Sequence, residues 1–308
     1  MTLPSPEVQA IIDIAAANFP PLGTEMTDIA DVRAFFAARP ALPREPLPLA
    51  HVADEDADGV PVRVYDPSLR EDAPVVLFCH GGGFVICDLE SHDDFCRAMA
   101  KATGAVVVSV DYRRAPEHTF PAAPEDAYTA LLWAAKTYQG RPIAVAGDSA
   151  GGNLAAVLPL LSRDRGGPEI VFQALYYPML DPTRSGPSHR DNAEGYFLTA
   201  DHVRWFWEQY LTSDADAVNP YAAPLGNADL TGLPPAQIIG PGLDPLCSDG
   251  DAYAVALAEA GVPVVTRRYD GMFHGFLSMG GALPEIAEAQ DEAFAVLKAR
   301  LTAASQAG

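Results

Sequence analysis

The chain has 308 residues, of which 49% are hydrophobic and 20% charged, a balance that fits a globular fold and not a disordered one. Lys and Arg number 20 against 41 Asp and Glu, a formal charge of −21. That excess of acid repels phosphate backbones and anionic lipid, so it argues against nucleic-acid binding and a membrane-surface role.

The first stretch, "MTLPSPEVQAIIDIAAANFP", has no basic residue, and Glu7 and Asp13 interrupt its apolar positions, so it does not read as a secretory signal. No apolar run approaches the roughly 20 residues of a spanning helix. The expectation is a cytoplasmic protein. Val8, Ile11, Ile12 and Ala15 recur on one helical face, and Ile29, Val32 and Phe36 on another, with Pro20-Pro21 between them. A proline-rich connector, "RPALPREPLPLA", follows. "DEDADG" then separates His51-Val52 from the alternating "VPVRVYD", which reads as a hairpin.

From Val75 short apolar runs alternate with helical stretches. "VVLFC", "AVVVSV", "IAVAG", "IVFQALY", "AQIIG" and "VPVVTRRY" read as strands, and helices are expected near 91–103, 125–138, 151–164, 249–260 and 285–302. Strands buried on both faces, alternating with helices, imply an α/β fold with a mostly parallel sheet. The segment 184–213 breaks the rhythm, with a helix after Thr199 that carries Trp205, Phe206 and Trp207. With residues 1–45 it is expected to form a lid at the carboxyl edge of the sheet, where ligands of open α/β folds bind. An ordinary core helix is an equal reading of those aromatics. Pro159 is expected to kink the helix that contains it.

"IAVAGDSAGGNLAA" sets Gly147, Ser149 and Gly151 in a G-x-S-x-G turn between a strand and a helix. Such a turn lifts a serine out of the backbone, and small neighbours let the chain fold sharply. A serine hydroxyl needs a base, and the base an orienting acid; where the serine stands on such a strand-to-helix turn, they follow it in the order Asp or Glu, then His. Asp244, just past the strand at 236–240, and His274, in the glycine-flanked "DGMFHGF", meet that order. Asp249 is the competing acid, but it is better placed to begin a helix. His51, His92, His118, His189 and His202 sit at helix starts, in loops or in the lid, and compete poorly as the base. "FCHGGGF" follows the first buried strand. Its glycines allow backbone N–H groups to approach a developing oxyanion, which assigns Gly81, Gly82 and Ala150 as donors. His80 and Gly83 are read as supporting that loop. Asp148 stands beside the serine, where it can tune the site. Cys79, Cys87, Cys96 and Cys247 form no CxxC pair and read as free thiols, with no metal site.

"HGGGF", "DYRRAPEHTFPAAPEDAY", "GDSAGGN", "YFLTADHVRWFW", "GLDPLCSD" and "GMFHGF", in this order from about residue 50 onward, resemble the bacterial hormone-sensitive-lipase-like esterases. The resemblance implies an α/β-hydrolase core with a helical cap: residues 1–45 and 184–213 as cap, 46–183 and 214–308 as core. It implies hydrolysis of short- to medium-chain carboxylic esters, with Ser149 as nucleophile, His274 as base, Asp244 as its orienter and no cofactor. Ser248 and Asp249 depart from the family's usual acid motif, and Arg114 stands where a leucine is common.

A small-molecule ester is therefore the expected partner, with a homodimer through an edge strand as a further reading. Phe19, Phe84, Tyr196 and Phe197 are candidate pocket residues. The rivals are an amidase or arylacetamide-type deacetylase with the same triad, a non-catalytic small-molecule receptor on this fold, and a secreted interfacial lipase, which the acidic charge disfavours.

Overall fold

The computed structural model describes residues 3–38 and 45–307. Residues 39–44, which hold much of the expected proline-rich connector, lie outside the described residues. Helices α1 (Pro6–Ala17) and α2 (Ile29–Ala37) come first. Ser5 caps α1 by accepting the Val8 N–H, and Asp28 caps α2 by accepting from Ala30 and Asp31. Val8, Ile12 and Val32 are buried from these helices, on the faces that the periodicity marks.

Strands β1 (His51–Ala57) and β2 (Val60–Asp66) form the hairpin, but its turn is shorter than expected. The acidic run belongs to β1, and only Asp58 (φ 54) and Gly59 (φ 97) make the turn. β1 is an outer strand, so Asp54, Glu55 and Asp56 stay in water, and Asp54 pairs with Arg63 directly opposite.

The core continues with β3 (Val75–Cys79), α3 (Asp93–Thr103), β4 (Val106–Val110), α4 (Ala122–Thr137), β5 (Ile143–Asp148), α5 (Ala150–Arg165) and β6 (Phe172–Tyr176). Then come α6 (Ser188–Asp191), α7 (Ala200–Tyr210), α8 (Asp214–Ala217), β7 (Ala236–Leu243), α9 (Cys247–Glu259), β8 (Val264–Phe273) and α10 (Pro284–Ala307). All eight strands join one sheet in the order β1-β2-β4-β3-β5-β6-β7-β8. β1 and β2 run antiparallel, and every pairing from β4 to β8 is parallel. β3, β4, β5 and β6 are buried along their whole length, as their unbroken apolar sequences require. α5 remains one helix through Pro159 to Arg165, buried against the sheet.

Parallel pairing has one consequence that matters for chemistry. The chain leaves β3, β5, β7 and β8 at the same edge. Cys79 is in register with Gly147, and Leu243 with Phe273. The residues that follow, His80, Ser149, Asp244 and His274, are therefore delivered to one place although they span almost 200 positions of sequence.

Candidate active site

Ser149 links β5 to α5 with φ 56 and ψ −119, a conformation that an L-residue rarely adopts. Its neighbours explain how the chain gets there. A Cβ on Gly147 would lie 2.1 Å from the Gly151 carbonyl oxygen, and one on Gly151 would lie 1.9 Å from that of Cys79. The turn closes only because both are glycine. The Ser149 N–H donates to the Tyr176 carbonyl at 2.9 Å, and its carbonyl accepts from Asn153 and Met179, so the turn is fastened on both sides.

Three of the candidate residues form a continuous relay. His274 Nε2 lies 3.0 Å from Ser149 Oγ, and His274 Nδ1 lies 2.7 Å from Asp244 Oδ2. Asp244 is fully buried, and its other oxygen accepts the Leu246 N–H at 2.8 Å. A carboxylate held in this way makes Nδ1 the protonated nitrogen and leaves Nε2 to accept the serine proton. Asp249 is elsewhere. It accepts from the Leu180 and Asp181 N–H groups and meets His189 Nε2 at 2.9 Å, and burial raises its carboxyl above the ordinary range.

The glycine loop requires one correction. The Gly81 N–H donates to Asp148 Oδ1 at 2.8 Å, so it cannot also serve an oxyanion. Gly82 and Gly83 border the cavity beside Ser149, and their N–H groups find no acceptor among the described residues. Gly82 and Gly83 are therefore the candidate donors of this loop, and Gly81 is not. Ala150, first residue of α5, has no intrahelical acceptor for its N–H. A Cβ on Gly83 would fall 2.1 Å from the Phe206 ring, so the loop and α7 touch directly.

His80 is an anchor. Its Nδ1–H donates to the Gly81 carbonyl at 2.7 Å, its ring stacks on Tyr112, and the Tyr112 hydroxyl donates back to the His80 carbonyl at 2.8 Å. Burial pushes the imidazole down to about 3, which keeps it neutral. Arg114 donates to the Cys87 carbonyl at 2.6 Å and so holds the far side of the same loop. Burial pushes the Cys87 thiol up to about 12, so the other nucleophile at the cavity stays protonated.

Ser149 and His274 open on an apolar cavity of about 170 Å³, walled by Ile86, Met179, Leu198, Val203, Phe206 and Leu246. Larger clefts of about 490 and 460 Å³ lie on other faces and contain no member of the relay. Phe19 and Phe197 reach the cavity and pack edge to face with centroids 5.1 Å apart. Phe84 and Tyr196 do not reach it. Phe84 (φ 64) turns inward and stacks on Tyr210 at 3.8 Å. Tyr196 packs against the cluster that contains Phe273 and Phe276. Of the three lid aromatics Trp205, Phe206 and Trp207, all are buried, and only Phe206 borders the cavity.

Two contributors escaped the sequence reading. Asn192 donates to the carbonyls of Gly242 and Asp244, both at 3.0 Å, and steadies the acid's loop. His92 borders the cavity and lies 3.2 Å from Asp148. A lone Asn and a lone His carry no spacing signal that would have marked them. Among the described residues no cluster of His, Cys, Asp and Glu is arranged to hold a metal, and no helix is long and apolar enough to cross a membrane.

A serine on a strand-to-helix elbow, with acid and imidazole at the ends of two later parallel strands, defines a class of fold, the alpha/beta hydrolases. A family model described as alpha/beta hydrolase fold matches residues 76–278. The chain belongs to that family. It is 44% identical over 274 residues to esterase LipI of Mycobacterium tuberculosis, covering 83% of this chain and 85% of that protein. It is 40% identical over 317 residues to carboxylesterase NlhH of the same organism, covering 98% and 99%. The hyperthermophilic esterase from the archaeon Pyrobaculum calidifontis superposes with a TM-score of 0.87 at 40% identity, over 97% of this chain and 99% of that one.

Proposed function

We propose that the chain is a serine carboxylesterase that hydrolyses short-chain carboxylic esters through an acyl-enzyme on Ser149. The observation that carries this reading is the relay from Asp244 through His274 to Ser149, with distances of 2.7 and 3.0 Å, ending at the wall of a small apolar cavity. His274 takes the serine proton as Oγ attacks the ester carbonyl. The N–H groups of Gly82, Gly83 and Ala150 receive the oxyanion, and His274 then protonates the departing alcohol. Water attacks the acyl-enzyme with the same imidazole as base. Because that base must be neutral, activity falls as the medium is acidified.

The cavity supports a limit on the acyl group. Its volume is close to the ~150 Å³ of an apolar cavity that admits benzene, so a few methylenes fill it. Residues 3–38 and 184–213 act as the cap: Phe19 packs on Phe197 and His202, and Gly23 packs against Trp205. The four free cysteines fit a reducing, cytoplasmic setting. β8 is the second outer strand of the sheet, with residues 265–268 exposed, which favours a homodimer through that edge, and sedimentation of the purified chain tests it.

The decisive assay is hydrolysis of p-nitrophenyl esters from acetyl to palmitoyl by the wild type and by Ser149→Ala. Turnover should peak at short acyl chains and vanish in the variant. Equal turnover by Ser149→Ala would overturn the mechanism. A clear preference for matched amides over esters would replace it with the amidase reading.

A further inference from the structure

A second imidazole–carboxylate pair sits beside the glycine loop, and the hydrolysis scheme does not use it. His92, at the N-terminus of α3, and Asp148, the last residue of β5, are both buried and both border the cavity. His92 Nε2 lies 3.2 Å from Asp148 Oδ1. That oxygen is the one that accepts the Gly81 N–H at 2.8 Å. On the other side of the ring, Nδ1 is 3.0 Å from Ser91 Oγ. The Ser91 hydroxyl is in turn 2.7 Å from the Asp88 carbonyl, which has no proton to give, so the hydroxyl proton points there. Ser91 Oγ is then an acceptor, from the Asp88 N–H at 2.9 Å and from Nδ1.

We propose that His92 is a positioning residue: held between Ser91 and Asp148, it fixes the Asp148 carboxyl, which grips the Gly81 N–H and so aims Gly82 and Gly83 at the carbonyl on Ser149. This rests on the ester-hydrolase reading above. The chain of contacts is short, because Gly81 precedes the two donors directly. It is also tight, since a Cβ on Gly81 would fall 2.6 Å from Asp148 Oδ2.

The surroundings leave Asp148 dependent on His92. Burial would raise the Asp148 carboxyl, but the His92 ring beside it holds it below the ordinary range. The thiols of Cys79, Cys87 and Cys96 and the phenols of Tyr112, Tyr176 and Tyr177 also feel Asp148, and burial pushes all six up, so they remain neutral. His80 is neutral as well, and Arg114 is committed to the Cys87 carbonyl. Taking away the imidazole therefore leaves a buried carboxyl without its side-chain partner, and it must take up a proton or turn toward water. Either change slackens the grip on Gly81. Oxyanion donors act chiefly in the transition state, so the loss belongs in kcat more than in KM.

The test compares wild type, His92→Leu and His92→Gln on p-nitrophenyl butyrate, with active sites counted by labelling with a fluorophosphonate. Per labelled site, His92→Leu should lower kcat about 10²-fold with KM within a few-fold, a loss on the scale of a removed oxyanion donor. His92→Gln, which still donates to Asp148, should recover about tenfold of it. A His92→Leu enzyme that labels normally and keeps its kcat overturns the proposal and leaves the esterase reading intact. A wild type that takes no label on Ser149 overturns both. Should His92→Leu fail to fold, His92→Gln decides: a kcat about tenfold below the wild type with KM unchanged supports the proposal, and a wild-type kcat refutes it.

Discussion

Ser149 holds its positive φ because hydrogen bonds from both flanks over-determine it, and Asp244 is held at zero exposure because its carboxyl has two partners. These are different kinds of dependence, and they predict different losses. Ser149→Ala should cost about 10⁶ in kcat/KM, and Asp244→Asn about 10⁴, the scale of the corresponding losses in serine proteases. Asp249→Asn is the control. It should keep kcat near the wild-type value while losing about 3 kcal/mol of stability, because it spoils a buried carboxylate that serves two backbone N–H groups and His189. Steady-state kinetics and urea melts of the three variants check this. The serine, acid and base were legible in the sequence because each follows a recognisable strand in the required order. Which glycine donates was not legible, since the answer lies in a hydrogen bond from Gly81 to a side chain 67 positions away.

At the level of elements, two glycines have unlike roles. Gly59 has φ 97 but open space around its α-carbon, whereas Gly151 lies under the Cys79 and His80 carbonyls. Gly59→Ala should cost about 1 kcal/mol from backbone strain alone. Gly151→Ala forces backbone apart between β3 and α5 and should cost more than about 3 kcal/mol, with loss of activity. Thermal denaturation of both variants separates them. The same contrast explains what the sequence could say about elements. β3 to β6 were legible because burial on both faces writes an unbroken apolar run. β1 was cut short because an outer strand can carry Asp54, Glu55 and Asp56 in solvent without breaking its pairing. The aromatics of α7 read equally as core or pocket: all three are buried, and of them only Phe206 reaches the cavity.

For the whole molecule, two imidazoles set the response to acid. Burial pushes His80 down to about 3 and His202 down to about 4, whereas unfolded histidine titrates near pH ~6.5. Between those values the unfolded chain binds more protons, so stability rises with pH there. Their contribution is complete above about pH 6.5 and is lost as the pH falls toward 4, with a slope of up to about 1.4 kcal/mol per pH unit for each ring. Urea midpoints at pH 7.5 and 5 should show the loss, and His202→Gln should flatten it. The formal charge of −21 adds a second expectation: salt should raise the melting temperature at neutral pH by screening self-repulsion.

The central claim is that Ser149 carries the acyl group. The most direct measurement is a rapid-mixing experiment with p-nitrophenyl acetate, followed by acid quench and mass analysis of the peptide that contains residue 149. The account predicts a burst of p-nitrophenol where deacylation limits turnover, and an acetyl group on Ser149 that is absent from Ser149→Ala. Turnover of the same ester with acetyl found on another residue, or with equal speed in Ser149→Ala, would contradict it.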